Sequence, residues 1–187
     1  MGVCNGAQTL LRIQELVPGV EGVWPTSFSR NVSEQYEARF STLLVTTTTT
    51  TTLPECIFLP TAYDGSRIPI PTAHGEGRAT FSDVDHLKSL ESSGLVVLRF
   101  VDNYGHPTET YPLNPNGSPG GITGVRSPDG RVLAMMPHPE RSVLVEGASY
   151  VPGKKEREAA GWTGGVGPWG GMLAGVRTWV EKNRSKK

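Results

Sequence analysis

The sequence has no run of about 18 apolar residues of the kind that spans a bilayer. Its first residues also lack the basic segment and apolar core of a secretory leader. No membrane partner is expected, and the anticipated location is cytoplasmic. Charge of one sign is missing too: 18 Lys and Arg face 18 Asp and Glu. That balance leaves no electrostatic footprint for nucleic acid or an anionic lipid surface. Cysteine is scarce, with Cys4 and Cys56 the two thiols in 187 residues. They cannot build a disulfide framework, and no C-x-x-C or His/Cys cluster in the sequence suggests a metal. Neither a metal nor a cofactor is expected in this chain.

Glycine and proline, by contrast, are plentiful, at 23 and 15 residues. Such a share favours turns and long connections over a helical bundle, hence a sheet-containing fold. A chain with 36% hydrophobic and 19% charged residues is globular and fits one domain.

Local patterns place the elements. Ala7, Leu10, Ile13, Leu16 and Val17 recur at helical spacing and predict an amphipathic helix ended by Pro18-Gly19. Phe40 to Val45 reads as a strand running into seven threonines, Thr46 to Thr52, which read as a low-complexity surface loop. Ile57-Phe58-Leu59 and Ile68-Pro69-Ile70 read as two short strands or edges separated by an Asp64-Gly65 turn. Gly94 to Val101 is the best strand pattern. Gly120 to Arg126 leads through Pro128-Asp129-Gly130 into a second apolar run, Val132 to Met136. Residues 150–171 read as connection, Met172 to Val180 as a helix and Lys182 to Lys187 as a solvated tail.

Three residues could carry chemistry together. Gly2-Val3-Cys4-Asn5-Gly6 is G-x-C-x-G, the cysteine analogue of the strand-to-helix elbow that presents a nucleophile above an α/β sheet. Cys4 at a helix N-terminus would have its thiolate favoured by free N–H groups. His138 ends a strand between Pro137 and Pro139, and Glu140, in extended backbone, would point to the same side and accept a ring N–H. Taken alone, the elbow motif also suits a small buried cysteine, and a histidine between prolines also suits a turn. His74, in Ala73-His74-Gly75-Glu76-Gly77-Arg78, is open to either a site or a satisfied histidine in a tight turn. Glu37 and Arg39 read as an ordinary salt bridge, and Cys56 as a core residue.

In this order the motifs resemble the glutaminase domain of the phosphoribosylformylglycinamidine synthase family, a class I (triad) glutamine amidotransferase. The elbow with Gln8, and Met135 to Arg141, resemble the nucleophile and His/Glu segments. R-N-x-S-x-x-Y-E-A-R (30–39), A-H-G-E-G-R (73–78), Y-P-L-N-P-N-G-S-P (111–119) and Gly167-Pro168-Trp169 also resemble signatures of that family. The resemblance implies an α/β, flavodoxin-like class I glutamine amidotransferase fold. Residues 1–187 would be the C-terminal portion of one such domain, lacking its N-terminal strands.

The implied roles are Cys4 as nucleophile, His138 as proton carrier and Glu140 as its orienting group. The Asn5 backbone N–H would serve as an oxyanion donor, and Gln8 would line the glutamine pocket. Glutamine would supply ammonia to a synthetase domain, on the same or a separate chain, that uses ATP and Mg to amidate formylglycinamide ribonucleotide in purine synthesis. Position 7 is alanine where the family often has a second cysteine, and the threonine tract is not a family feature. Two alternatives follow from the same letters: an inactive truncated fragment of that enzyme, or a cysteine hydrolase or peptidase of the same architecture.

Overall fold

The computed structural model describes residues 1–47, 53–151, 153–159 and 164–184. The chain opens with strand β1 (Gly2–Val3) and helix α1 (Asn5–Arg12). Strands β2 (Ser27–Arg30), β3 (Glu37–Val45), β4 (Arg67–His74) and β5 (Glu76–Thr80) follow. Helix α2 (Val84–Ser93) precedes β6 (Val96–Phe100), β7 (Ile122–Arg126) and β8 (Leu133–Met135). Helices α3 (Lys154–Ala159) and α4 (Gly170–Arg184) close the order.

Six strands form one mixed sheet in the order β1-β8-β7-β6-β3-β4, and β2 with β5 forms a separate two-stranded sheet. The single parallel pairing among the described strands is β1 with β8, in the register Gly2↔Ala134 and Val3↔Met135. That pairing matters for the site, because side by side parallel strands deliver the residues that follow them to the same end of the sheet.

The sheet separates two apolar cores. Side chains alternate faces along a strand, and β8 shows this directly: Ala134 and Met136 join one core while Leu133 and Met135 join the other. The first core is covered by Ala7 and Leu11 of α1 and Leu90 of α2. The second is covered by Met172 of α4 and Trp169 just before it. Each fully buried side chain of Leu or Phe size contributes about 1.5–3 kcal/mol of transfer free energy. This is the layered arrangement that lets one sheet bury both faces. The Trp169 indole N–H donates to the Pro69 carbonyl at 2.9 Å, tying the C-terminal segment to β4.

Several expectations are corrected. The first helix ends at Arg12, where the Ile13 N–H is shared between the Thr9 and Leu10 carbonyls, and a 3₁₀ turn, Gln14–Leu16, follows. Past that point Leu16 is 72% exposed, while Val17 returns to the first core. Ile57-Phe58-Leu59 is a turn closed by a bridge between Cys56 and Leu59 rather than a strand. The strand expected at Ile68-Pro69-Ile70 is present, inside β4, where the Pro residues pair in an edge strand. Most of the threonine tract, 48–52, and the last tail residues, 185–187, lie outside the described residues.

Candidate active site

The elbow is real in geometry. Cys4 joins β1 to α1 with φ 52° and ψ −114°, a positive φ that a residue with a Cβ adopts only where its surroundings impose it. Two constraints impose it here. The Cys4 N–H donates to the Met135 carbonyl at 2.9 Å, and the Cys4 carbonyl accepts from Ala7 and Gln8 in the first turn of α1. Gly2 sits so close to that turn that an added Cβ would meet the Gly6 carbonyl oxygen at 2.4 Å. The first glycine of the motif is therefore a packing requirement, whereas a Cβ at Gly6 would meet nothing within 4 Å.

His138 arrives from the neighbouring strand. It lies three residues past β8, and its N–H donates to the Pro71 carbonyl of β4 at 2.8 Å. Its Nδ1 lies 2.7 Å from Glu140 Oε1. The route to that contact differs from the expectation: residues Pro139–Ser142 form a 3₁₀ turn, not extended backbone, and the turn folds Glu140 back onto the ring. The His138 side chain is 12% exposed and that of Glu140 is 56% exposed, so the imidazole is sheltered while the carboxylate stays hydrated. Arg141 flanks the same carboxylate at 3.6 Å.

Cys4, His138 and His74 each offer one ligating atom, and these atoms lie within 4.8 Å of one another. The structure thus brings Cys4, His138 and Glu140 together as the motif order implies, and adds His74 to them. Burial pushes the Cys4 thiol above its ordinary range; the Asn5 backbone N–H and Arg141 draw it down, and Glu140 and Glu76 push it up. The resting group is a thiol at neutral pH. The N–H at the helix terminus favours the thiolate, as expected, but burial outweighs it and leaves deprotonation to a base.

Gln8 is held from α1 by two contacts, its Nε2 donating to the Phe28 carbonyl at 3.1 Å and to Glu76 Oε2 at 2.6 Å. Glu76 is a residue that sequence reading passed over, although it stood inside the A-H-G-E-G-R motif.

The other motifs converge on His74, whose residue is 4% exposed. Its Nε2 meets Asn116 Oδ1 at 2.9 Å, and Asn116 Nδ2 donates to the Gly77 carbonyl at 2.9 Å. Asn114 Oδ1 accepts the N–H groups of Asn116, Gly117 and Ser118. Asn31 Nδ2 donates to the His74 carbonyl at 2.9 Å, and Ser33 Oγ to Glu37 at 2.6 Å. Glu37, 3% exposed, pairs with Arg39, which also donates to the Tyr111 hydroxyl. The pair is therefore one joint in a network linking the three motifs. Burial pulls the His74 imidazole down to about 4; Asn116 opposes this, His138 adds to it, and the Met136 carbonyl and Glu37 oppose it. His74 is neutral at physiological pH.

Cys56 takes no part in the site. It is fully buried in the second core.

A strand, a positive-φ cysteine corner and a helix, with a carboxylate-held histidine delivered by the adjacent parallel strand, form a candidate active site on an α/β sheet. Comparison with known proteins agrees: residues 1–180 match the CobB/CobQ-like glutamine amidotransferase domain family, and the chain belongs to that family. It is 49% identical over 180 residues to phosphoribosylformylglycinamidine synthase of Saccharomyces cerevisiae, an alignment covering 96% of this chain and 13% of that protein. The chain thus spans about an eighth of the length of that relative. A chain of the PurLQS structure from Thermotoga maritima superposes with a TM-score of 0.56 and 24% identity, covering 96% of this chain and 61% of that one. The fold is a mixed α/β fold of the flavodoxin-like class I glutamine amidotransferase kind. No helix among the described residues is long and apolar enough to cross a membrane.

Proposed function

We propose that this chain is glutaminase machinery of a phosphoribosylformylglycinamidine synthase, releasing ammonia from glutamine at Cys4. The observation that carries the reading is the strained Cys4 elbow beside a histidine whose Nδ1 is held by Glu140 at 2.7 Å. The likeness to the yeast synthase supports the choice of enzyme.

In this reading Cys4 Sγ attacks the side-chain amide carbon of glutamine while its proton passes to His138 Nε2, the nitrogen that Glu140 leaves available. The Asn5 backbone N–H donates to the oxyanion that forms. His138 then returns the proton to the amide nitrogen, the C–N bond breaks and ammonia leaves a γ-glutamyl thioester. Water, deprotonated by His138, attacks the thioester and gives glutamate and free Cys4. Glu140 holds the imidazole in the tautomer with Nε2 as acceptor, and stabilises the imidazolium. Gln8, steadied by Glu76, contributes to the glutamine pocket. The ammonia serves a synthetase domain, on the same chain or another, where ATP and Mg drive amidation of formylglycinamide ribonucleotide in purine synthesis. The location is cytoplasmic.

The test is to trap the thioester. Full-length chain incubated with glutamine and hydroxylamine should yield γ-glutamyl hydroxamate and ammonia, and Cys4→Ala should yield neither. Equal yields from both proteins would sink the reading. Cleavage of peptide amides without any response to glutamine would favour a cysteine hydrolase instead.

A further inference from the structure

We infer that Cys4, His74 and His138 form a three-ligand site for a thiophilic divalent ion of the zinc class, and that such an ion caps the nucleophile. Sequence spacing gives no hint of it, since the three residues come from the corner between β1 and α1, the end of β4 and the segment after β8. The fold assembles the cluster that no local motif contains.

Three observations carry the inference. First, the three ligating atoms lie within 4.8 Å of one another. Around tetrahedral zinc, with bonds of about 2.0–2.3 Å, ligand atoms stand roughly 3.4–3.6 Å apart, so side-chain rotations of about an ångström close the set. Second, each histidine has one nitrogen engaged and the other without a hydrogen bond: His138 Nδ1 meets Glu140 while its buried Nε2 has no partner. His74 Nε2 meets Asn116 while its buried Nδ1 has none. This pattern, with the outer nitrogen held by a carboxylate or amide oxygen, fixes tautomer and ring direction in metal-bound histidines. Third, His74 is itself held rigidly by the Asn31, Asn114 and Asn116 network, as a ligand must be for its geometry to be set in advance.

On binding, a sulfur–metal bond forms, the Cys4 thiol proton leaves to solvent, and no electrons are transferred. Three protein ligands leave the fourth tetrahedral position to water. Because the ion takes the sulfur that would attack an electrophile, metal occupancy and nucleophilic reaction exclude one another. The binding itself does not depend on glutamine turnover, so its test is independent of the proposed enzymatic role.

The experiment uses the full chain with Zn²⁺ alone, in equilibrium dialysis against a weak chelator, with Co²⁺ as a spectroscopic probe. The expected result is one Zn²⁺ per chain and a thiolate-to-cobalt charge-transfer band. Cys4→Ser should remove that band and weaken Zn²⁺ binding at least about a hundredfold, and the outer-shell change Asn116→Ala should weaken it about 10–100-fold. Cys56→Ala should leave both readouts unchanged. His74→Ala should weaken binding as strongly as Cys4→Ser; if that variant fails to fold, the Cys4→Ser spectrum decides, because that position is only partly buried. Absence of stoichiometric Zn²⁺ uptake, or uptake that Cys4→Ser leaves unchanged, overturns the inference.

Discussion

Cys4 and Cys56 are the same side chain in two settings, and burial pushes both thiols upward. Cys56 is sealed in an apolar core with Leu59 and Trp169, where the Phe58 and Leu59 N–H groups favour its thiolate against the effect of burial. Cys4 stands on a positive-φ corner at the end of a strand, partly accessible, with two histidines in reach. The pair teaches that neither burial nor backbone donors distinguish the two cysteines, because both have them. What separates them is a pair of histidines whose ligating atoms lie within 4.8 Å of the Cys4 sulfur, and a positive-φ backbone corner at Cys4.

Changes at the two thiols can break or sharpen that contrast. The largest expected effect is at Cys4: replacement by Ala should abolish covalent labelling by a glutamine-mimicking electrophile, read as loss of the mass shift on the intact chain. Next is His138→Asn, which removes the base and should slow labelling about 10²–10⁴-fold. Glu140→Gln keeps the shape but loses the charge opposite His138 Nδ1 and should cost less than that; a rate equal to wild type would remove Glu140 from the triad. A smaller effect is expected at Cys56→Ser, where a hydroxyl enters an apolar core. Denaturant unfolding should report a loss of about 1–3 kcal/mol with the labelling rate of Cys4 unchanged.

The two glycines of the elbow sharpen the comparison further. Gly2→Ala, whose Cβ would lie 2.4 Å from the Gly6 carbonyl oxygen, should destabilise by about 1–3 kcal/mol and slow labelling by shifting the corner. Gly6→Ala meets nothing within 4 Å and should stabilise by about 0.5 kcal/mol through helix propensity, seen as a small rise in Tm. Equal behaviour of the two variants would mean that the corner is not held by the packing of Gly2 against α1.

Much of this was legible in the sequence because it is local. The β6, β7 and β8 strands follow from apolar runs bounded by turn residues, and the elbow and the His-Pro-Glu segment are short motifs with their chemistry written in adjacent positions. What stayed hidden is contact between distant segments. Helix α2 went unread although Asp83 caps it through the His86 N–H and Gly94 ends it at φ 74°. Its mean apolar content is weak, and only Leu90 is fully buried. Strands β2 and β5 lack period-2 apolar patterns because their pairing is a small separate sheet with one buried face. His74 looked ambiguous because its meaning depends on Asn116 and His138, which reach it only through the folded sheet. In the same way Glu37 and Arg39 looked like a surface pair until Ser33 and Tyr111 joined them.

The central claim, that one of two buried-leaning thiols is built as the nucleophile, is tested most directly by mass spectrometric mapping after reaction with a glutamine-mimicking diazoketone. The account predicts one adduct per chain, located on Cys4, suppressed by added glutamine and formed about 10²–10⁴-fold more slowly when His138 is replaced. An adduct on Cys56, or equal labelling of both cysteines in the folded chain, would contradict it.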